Sequence, residues 1–326
     1  MSKLFIVEGT TLIGLTDEGR KMSKLIIPKC VTEIGESAFH ACKSLTSVII
    51  PDSVTYIGNN AFDGCISLKH ITISNNITTI PNYMFQDCTS LISVTIPKSV
   101  TKIGNWAFAG CTALKSVIIS ESVVEIGNRV FKDCESLTSI EIPNSVTKIG
   151  DYAFWRCKSL TSVTLGSGLK RIGIAAFKGC KSLKSIEIPD SVRHIGGSTF
   201  YCCSSLESVK ISNSLTKICS DVFGNCRSLK SVIIPSSVKK IGRGAFDGCK
   251  LLTSVTIPEG VTEIGNWAFY YCTSLESIVI PKGVTTIGDH TFCECKSLTS
   301  VKILGCFTKI DSCAFNGCIS LESYNY

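Results

Sequence analysis

The chain has 326 residues, of which 44% are hydrophobic and 18% charged, with a formal net charge of +7. That composition supplies a substantial core, permits an acidic partner without requiring one, and offers no run of about 18 apolar residues for a membrane span. The opening Met1-Ser2-Lys3 leads only into Leu4 to Val7, too short for a signal-peptide core, and the closing Glu322 to Tyr326 carries no lipidation box, so the chain reads as soluble and unexported or as a piece of a longer protein.

Leu4 to Val7 and Leu12 to Leu15, joined across Glu8-Gly9-Thr10-Thr11, predict a hairpin within an N-terminal capping segment, residues 1–23. A first strand follows at Lys24 to Pro28. From there one element organises residues 24–326: a phenylalanine that returns thirteen times, from Phe39 to Phe315, always 23 residues apart. Units of that size cannot bury their own apolar face and must stack, which predicts a solenoid.

Each repeat carries a cysteine three residues and a leucine six residues after the phenylalanine, as in Cys65 and Leu68 after Phe62. A short strand comes next, with apolar residues at nine and eleven and a freer position between them, as in Val48-Ile49-Ile50. Proline at twelve, such as Pro51 or Pro97, ends it by withholding a donor. A second extended segment closes on an isoleucine at eighteen, such as Ile57. Glycine and then Asn or Asp usually follow, which predicts an N-cap opening a single helical or 3-10 turn under Ala-Phe-x-x-Cys.

Leu45-x-x-Val48-x-Ile50-Pro51-x-x-Val54-x-x-Ile57-Gly58-x-x-Ala61-Phe62-x-x-Cys65 resembles the 23-residue leucine-rich repeat of the BspA-like family of bacterial and protist surface antigens. The resemblance spans the chain after its hairpin. It implies an α/β repeat fold: a right-handed leucine-rich-repeat solenoid with a parallel β-sheet on the concave side and short helical or 3-10 turns. It also implies protein binding and cell adhesion at a surface, and brings no catalytic residues with it. The missing signal sequence keeps a cytoplasmic interaction scaffold open as the alternative.

Nineteen cysteines are many. Thirteen belong to the stacked column, where neighbours about 4.8 Å apart are too distant for disulfide geometry, so they are expected to be buried free thiols. Cys202-Cys203 and Cys293-x-Cys295 lack the spacing of a metal site, and the histidines His40, His70, His194 and His290 fall at four different repeat positions; neither metal, cofactor nor enzymatic activity is expected.

Three columns are candidates for partner binding. At position seventeen, Lys148, Arg171, His194, Lys217 and Lys240 follow one another in successive repeats. Such a basic column suits an anionic glycan or other polyanion, and equally serves as a solvated edge that discourages association. Trp106, Trp155, Trp267, Tyr270 and Tyr271 flank the repeat phenylalanine, fit either for anchoring a partner or for packing over the next coil. The free strand position, from Ile49 through Thr72 to Lys302, mixes Ile, Thr and charge in a way that suits a protein ligand. The expected assembly is a monomer or a weak end-to-end dimer, with Tyr324 and Tyr326 as possible covers for the last edge.

Overall fold

The computed structural model describes residues 3–306 and 309–321; Tyr324 and Tyr326 lie outside them. The chain forms a parallel-strand solenoid and divides into two compact units, Met1–Gly168 and Leu169–Tyr326.

In the N-terminal unit, β1 (Phe5–Glu8) and β2 (Thr11–Leu15) pair antiparallel. Their turn uses Gly9 at φ +61°, a left-handed corner glycine takes at little steric cost. Leu12 of β2 then pairs parallel with Ile34, so the hairpin stands in line with the second strand of the first coil. A helix that the sequence pattern does not announce follows: α1 (Asp17–Lys21). Thr16 caps it by accepting the Gly19 N–H at 3.1 Å, and its acids and bases sit at the ends that the helix dipole favours.

Both units repeat one coil. Strand Ser116–Ile118 lies parallel to Ser93–Thr95 in register, with Val117 facing in and Ser116 and Ile118 facing out. In the C-terminal unit, Ser185–Glu187 pairs with Ser208–Lys210, Ser231–Ile233 with Ser254–Thr256, and Ser277–Ile280 with Ser300–Ile303. The shorter second strands pair likewise, as in Lys102–Ile103 with Glu125–Ile126 and Lys217–Ile218 with Lys240–Ile241.

The phenylalanines form the spine of the core. In the N-terminal unit the rings from Phe39 to Phe154 stack at centroid spacings of 4.7 to 5.6 Å. From Phe177 to Phe315 the spacings are 5.3 to 5.7 Å. Offset stacks at this distance combine large apolar burial with favourable quadrupole geometry.

The column of thiols does more than fill space. Cys65, Cys88, Cys111, Cys134 and Cys157 each donate S–H to the carbonyl of the phenylalanine 26 residues earlier, at 3.0 to 3.2 Å. Cys203, Cys226, Cys249, Cys272 and Cys295 do the same in the other unit. A donating sulfur must keep its proton, and burial enforces this: Cys65 is pushed up to about 12, and Cys88 and Cys134 well above the ordinary thiol value. All nineteen cysteines are free thiols.

The segment around each phenylalanine departs from the expected helical or 3-10 turn. It is a run of turns in which residues two before and two after the phenylalanine take left-handed backbone, as at Trp106 (φ 59°) and Gly110 (φ 75°). Alternate N–H groups serve different coils. Those of Trp106, Phe108 and Gly110 reach forward to the carbonyls of Asn128, Val130 and Lys132, while Ala109 and Cys111 bond back three residues. The backbone thus welds coil to coil where a helix would satisfy only itself. Serine replaces proline at position twelve in three coils, at Ser74, Ser120 and Ser212, without loss of the turn. Buried Ser74 and Ser212 donate to the carbonyls of Val54 and Val192 and accept the N–H two residues on.

The Asn and Asp residues expected as helix N-caps cap the neighbouring coil instead. The side-chain oxygens of Asn59, Asn82, Asn105 and Asn128 accept the backbone N–H groups of Asn82, Asn105, Asn128 and Asp151 in turn, at 2.7 to 3.1 Å. An asparagine ladder results along the outer edge of the N-terminal unit.

Candidate functional site

The outward strand positions supply the most open surface. In the N-terminal unit Ile26 and Ile118 are about two-thirds exposed, at 68% and 64%, and Ile49, Thr72 and Thr95 share their column. In the C-terminal unit Ile233 is 80% exposed, and Glu187 and Lys210 form an ion pair across adjacent strands. Apolar side chains project from these faces because the strand alternation sends every second residue outward whatever its type.

Depressions interrupt the faces, two of them where neighbouring strands belong to different sheets. One, between His70–Thr72 and Ser93–Thr95, is lined by His70, Thr72, Asn75, Ser93, Thr95 and Pro97. Another, between Ser208–Lys210 and Ser231–Ile233, is lined by Lys210, Asn213 and Ile233. A third gathers Thr95, Lys98, Ile118, Ser120 and Glu121 beside a coil in which Ser120 stands at the proline position. These are open and shallow, suited to side chains of a partner surface more than to an enclosed small molecule.

The basic column is shorter than its five residues suggest. Lys148 Nζ lies 2.7 Å from Glu125, which also faces Lys102 at 3.5 Å, and Lys240 Nζ lies 2.7 Å from Glu263. Hydrogen bonding to Lys148 is the largest influence on Glu125 and holds its carboxyl below the usual range. In the C-terminal unit Arg171 pairs strand to strand with His194, and Lys217 with Lys240. Glu125 and Glu263 occupy the same repeat position as the bases, so reading the column one coil further each way reveals the acids that pair with its ends.

The aromatic residues are half-buried and engaged with one another. In the N-terminal unit Tyr83 stacks on Trp106 at 6.2 Å, and the Arg129 guanidinium lies 4.8 Å from both the Trp106 and Tyr152 rings. Lys132 Nζ sits between Trp106 and Trp155, at 5.1 and 5.2 Å. In the C-terminal unit Trp267 stacks on His290 at 4.7 Å, Tyr270 meets Trp267 at 5.0 Å and Tyr271 meets Tyr270 at 5.2 Å. Rings and cations therefore extend the packing over adjacent coils, each contact worth about 0.5–1 kcal/mol at such sites.

Two of the histidines have acidic neighbours. His40 Nδ1 lies 3.2 Å from Asp63. His290 Nδ1 bonds Asp289, whose second oxygen accepts the Trp267 Nε1–H at 3.1 Å, and Cys313 closes the group. The sequence carries the signal for this group: residues 290 and 313 are one repeat apart, so equivalent positions stack. Among the described residues no helix is long and apolar enough to cross a membrane.

Comparison with known proteins agrees with this architecture. The model of the BspA-type leucine-rich repeat region matches residues 18–138, 124–252 and 216–326. A leucine-rich repeat protein from Bacteroides ovatus, solved by crystallography, is 32% identical with a TM-score of 0.80, covering 99% of this chain and 93% of its own. A leucine-rich cell surface protein from Faecalibacterium prausnitzii is also 32% identical, at a TM-score of 0.58, covering 100% and 95%. The leucine-rich repeat protein of T. pallidum is 31% identical over 56% of this chain and 89% of its own, with a TM-score of 0.51. No curated protein sequence matches the chain.

Proposed function

The chain belongs to the BspA-type leucine-rich repeat family, and from that premise we propose that it is a non-enzymatic binding protein which holds a protein partner on its longer strands at a cell surface. The observation that carries this reading is the row of outward Ile and Thr side chains at Ile26, Ile49, Thr72, Thr95 and Ile118, a set of β-branched groups on rigid strands with little entropy to lose on binding. Serines at the preceding strand position, such as Ser93 and Ser116, add hydroxyls beside them. A mixed apolar and hydroxyl face of this kind matches the central patch of a protein interface, where charged residues are depleted.

The surface location is supported by the family and by the F. prausnitzii relative, a leucine-rich cell surface protein of similar length. The many free thiols are compatible with it. Most of those in the column are buried and donate to carbonyls, which leaves few sulfurs open to oxidants.

Two measurements test the proposal. Labelling of intact source cells with a membrane-impermeant biotin reagent should recover the chain; recovery only after lysis would overturn the surface location. Binding of the purified chain to a panel of extracellular-matrix and host-surface proteins should be saturable and fall at least about tenfold when Ile49→Lys and Ile118→Lys are combined. Binding that survives this change would remove the strand face from the interface.

A further inference from the structure

The edge of the C-terminal unit brings three unlike donor groups together. His290 and Cys313 hold the same position in successive coils, two residues before Phe292 and Phe315, and Asp289 precedes the histidine. The backbone fixes their spacing: the Phe292 N–H donates to the Ala314 carbonyl at 2.8 Å and the Glu294 N–H to Asn316 at 2.7 Å. One ligand atom from each of Asp289, His290 and Cys313 lies within 4.8 Å of the others.

The surroundings orient these groups. The Trp267 ring covers a face of the imidazole at 4.7 Å and an interplanar angle of 22°, and its Nε1–H holds one Asp289 oxygen at 3.1 Å. His290 itself is fixed in left-handed backbone at φ 53°. Cys313 differs from the column thiols. It is half-buried and, unlike them, lies beside a hydroxyl, Ser312 Oγ, in a weak contact at 4.0 Å.

We propose that Asp289, His290 and Cys313 form a binding site for a single borderline divalent cation of the Zn²⁺ class. Oxygen, nitrogen and sulfur in one set select zinc or cobalt over calcium and magnesium, which take oxygen ligands. Tetrahedral zinc with Zn–S near 2.3 Å and Zn–N near 2.0 Å sets donors about 3.3–3.6 Å apart, so on loading the Cys313 sulfur approaches from within 4.8 Å while the hydrogen-bonded Asp289–His290 pair opens slightly. Loading breaks the Cys313 S–H bond, forms the metal–sulfur bond and releases the proton to solvent, and it exchanges the Asp289–His290 hydrogen bond for metal bonds as the imidazole proton passes through solvent from Nδ1 to Nε2. Three protein ligands leave the fourth position for water or for a side chain of a bound protein. The site thereby gives this edge a second way to hold a partner, separate from the strand face.

The full chain, kept reduced with a phosphine, is titrated with Co²⁺ and then with Zn²⁺. The expected result is one Co²⁺ per chain with a thiolate-to-cobalt charge-transfer band, displaced by Zn²⁺ and unaffected by excess Ca²⁺. Quenching of Trp267, isolated by Trp106→Phe and Trp155→Phe, should follow the same curve. Cys313→Ser should abolish the band, His290→Ala should weaken binding at least about tenfold, and Cys306→Ser, at an exposed thiol, should change nothing. A native chain without the band overturns the proposal, as does a band that persists in Cys313→Ser or disappears in Cys306→Ser.

Discussion

The outer edges of the two units differ although their backbones bond alike. In the N-terminal unit the N–H groups of Tyr83, Trp106 and Arg129 reach the carbonyls of Asn105, Asn128 and Asp151, and in the C-terminal unit those of Asp221, Gly244 and Trp267 reach Arg243, Asn266 and Asp289, all at 2.8 to 3.0 Å. On this common frame the first unit carries the asparagine ladder from Asn59 to Asp151. The second begins with Ile174, Gly197, Ser220 and Arg243 at the same repeat position, and only then returns to Asn266 and Asp289. It also places two half-buried acids near one another: burial, with help from Asp221, pushes Asp247 up to about 6, and burial raises Asp221 as well. Backbone and core define the coil, while its edge is free to become a uniform hydrogen-bonded ladder or a heterogeneous chemical surface.

The largest test of this comparison addresses what the units share. Phe108→Ala and Phe246→Ala should each cost about 3–5 kcal/mol, seen as a loss of urea stability. Costs that differed strongly between the two would show that the cores are not equivalent. The acids test what the units do not share. Asp247 has a folded-state value above the ordinary 3.8, so its neutral form stabilises the fold below about pH 4 and that contribution is lost as pH rises through 6. Asp247→Asn should therefore raise stability by about 1–3 kcal/mol at pH 7.5 and leave it unchanged near pH 3. A thermal melt at the two pH values decides the matter.

A smaller effect should come from the ladder. Asn105→Ala removes the acceptor for the Asn128 N–H and should cost about 1 kcal/mol. Arg243→Asn should restore a ladder partner for Asn266 and recover a similar amount, less the loss of the Arg243 contact with Trp267 at 5.9 Å. The smallest is Glu125→Gln. The carboxylate is held below its usual value by Lys148, so its contribution is present at neutral pH and lost as pH falls through the carboxylate range. Because the pair is partly exposed, the substitution should cost no more than about 1 kcal/mol at pH 7. Its pH dependence runs opposite to that of Asp247→Asn, and equal signs would undo the distinction between the two edges.

Much of the fold is legible from residue spacing. Phe, Cys and Leu at fixed offsets locate the core, and Val48-Ile49-Ile50 reveals which strand residue faces out. The left-handed turns are harder to read because Asn-x-Ala-Phe also describes a capped helical turn. Their mark is the glycine two residues after the phenylalanine, at Gly64, Gly110, Gly179, Gly248 and Gly317, which all take positive φ. The helix α1 rests on the single cap at Thr16 and a tight approach at Gly19, with no periodic pattern to betray it in five residues. Candidate sites were legible only as columns. The charge of Lys148 shows in sequence, but its pairing with Glu125 depends on geometry between coils, and the meeting of His290 with Cys313 emerges only when separations of one repeat are treated as contacts.

The thiol, asparagine and backbone bonds between coils have a consequence for how the gene can change. They join residues 22 to 26 positions apart, so an in-frame duplication or deletion of one whole repeat reproduces every such bond with a new neighbour. A shift by a single codon misaligns every such bond that spans it. Recombination between repeats can therefore lengthen, shorten or reshuffle the exposed columns of this protein while each intermediate still folds, and its outer surface can diversify much faster than its core.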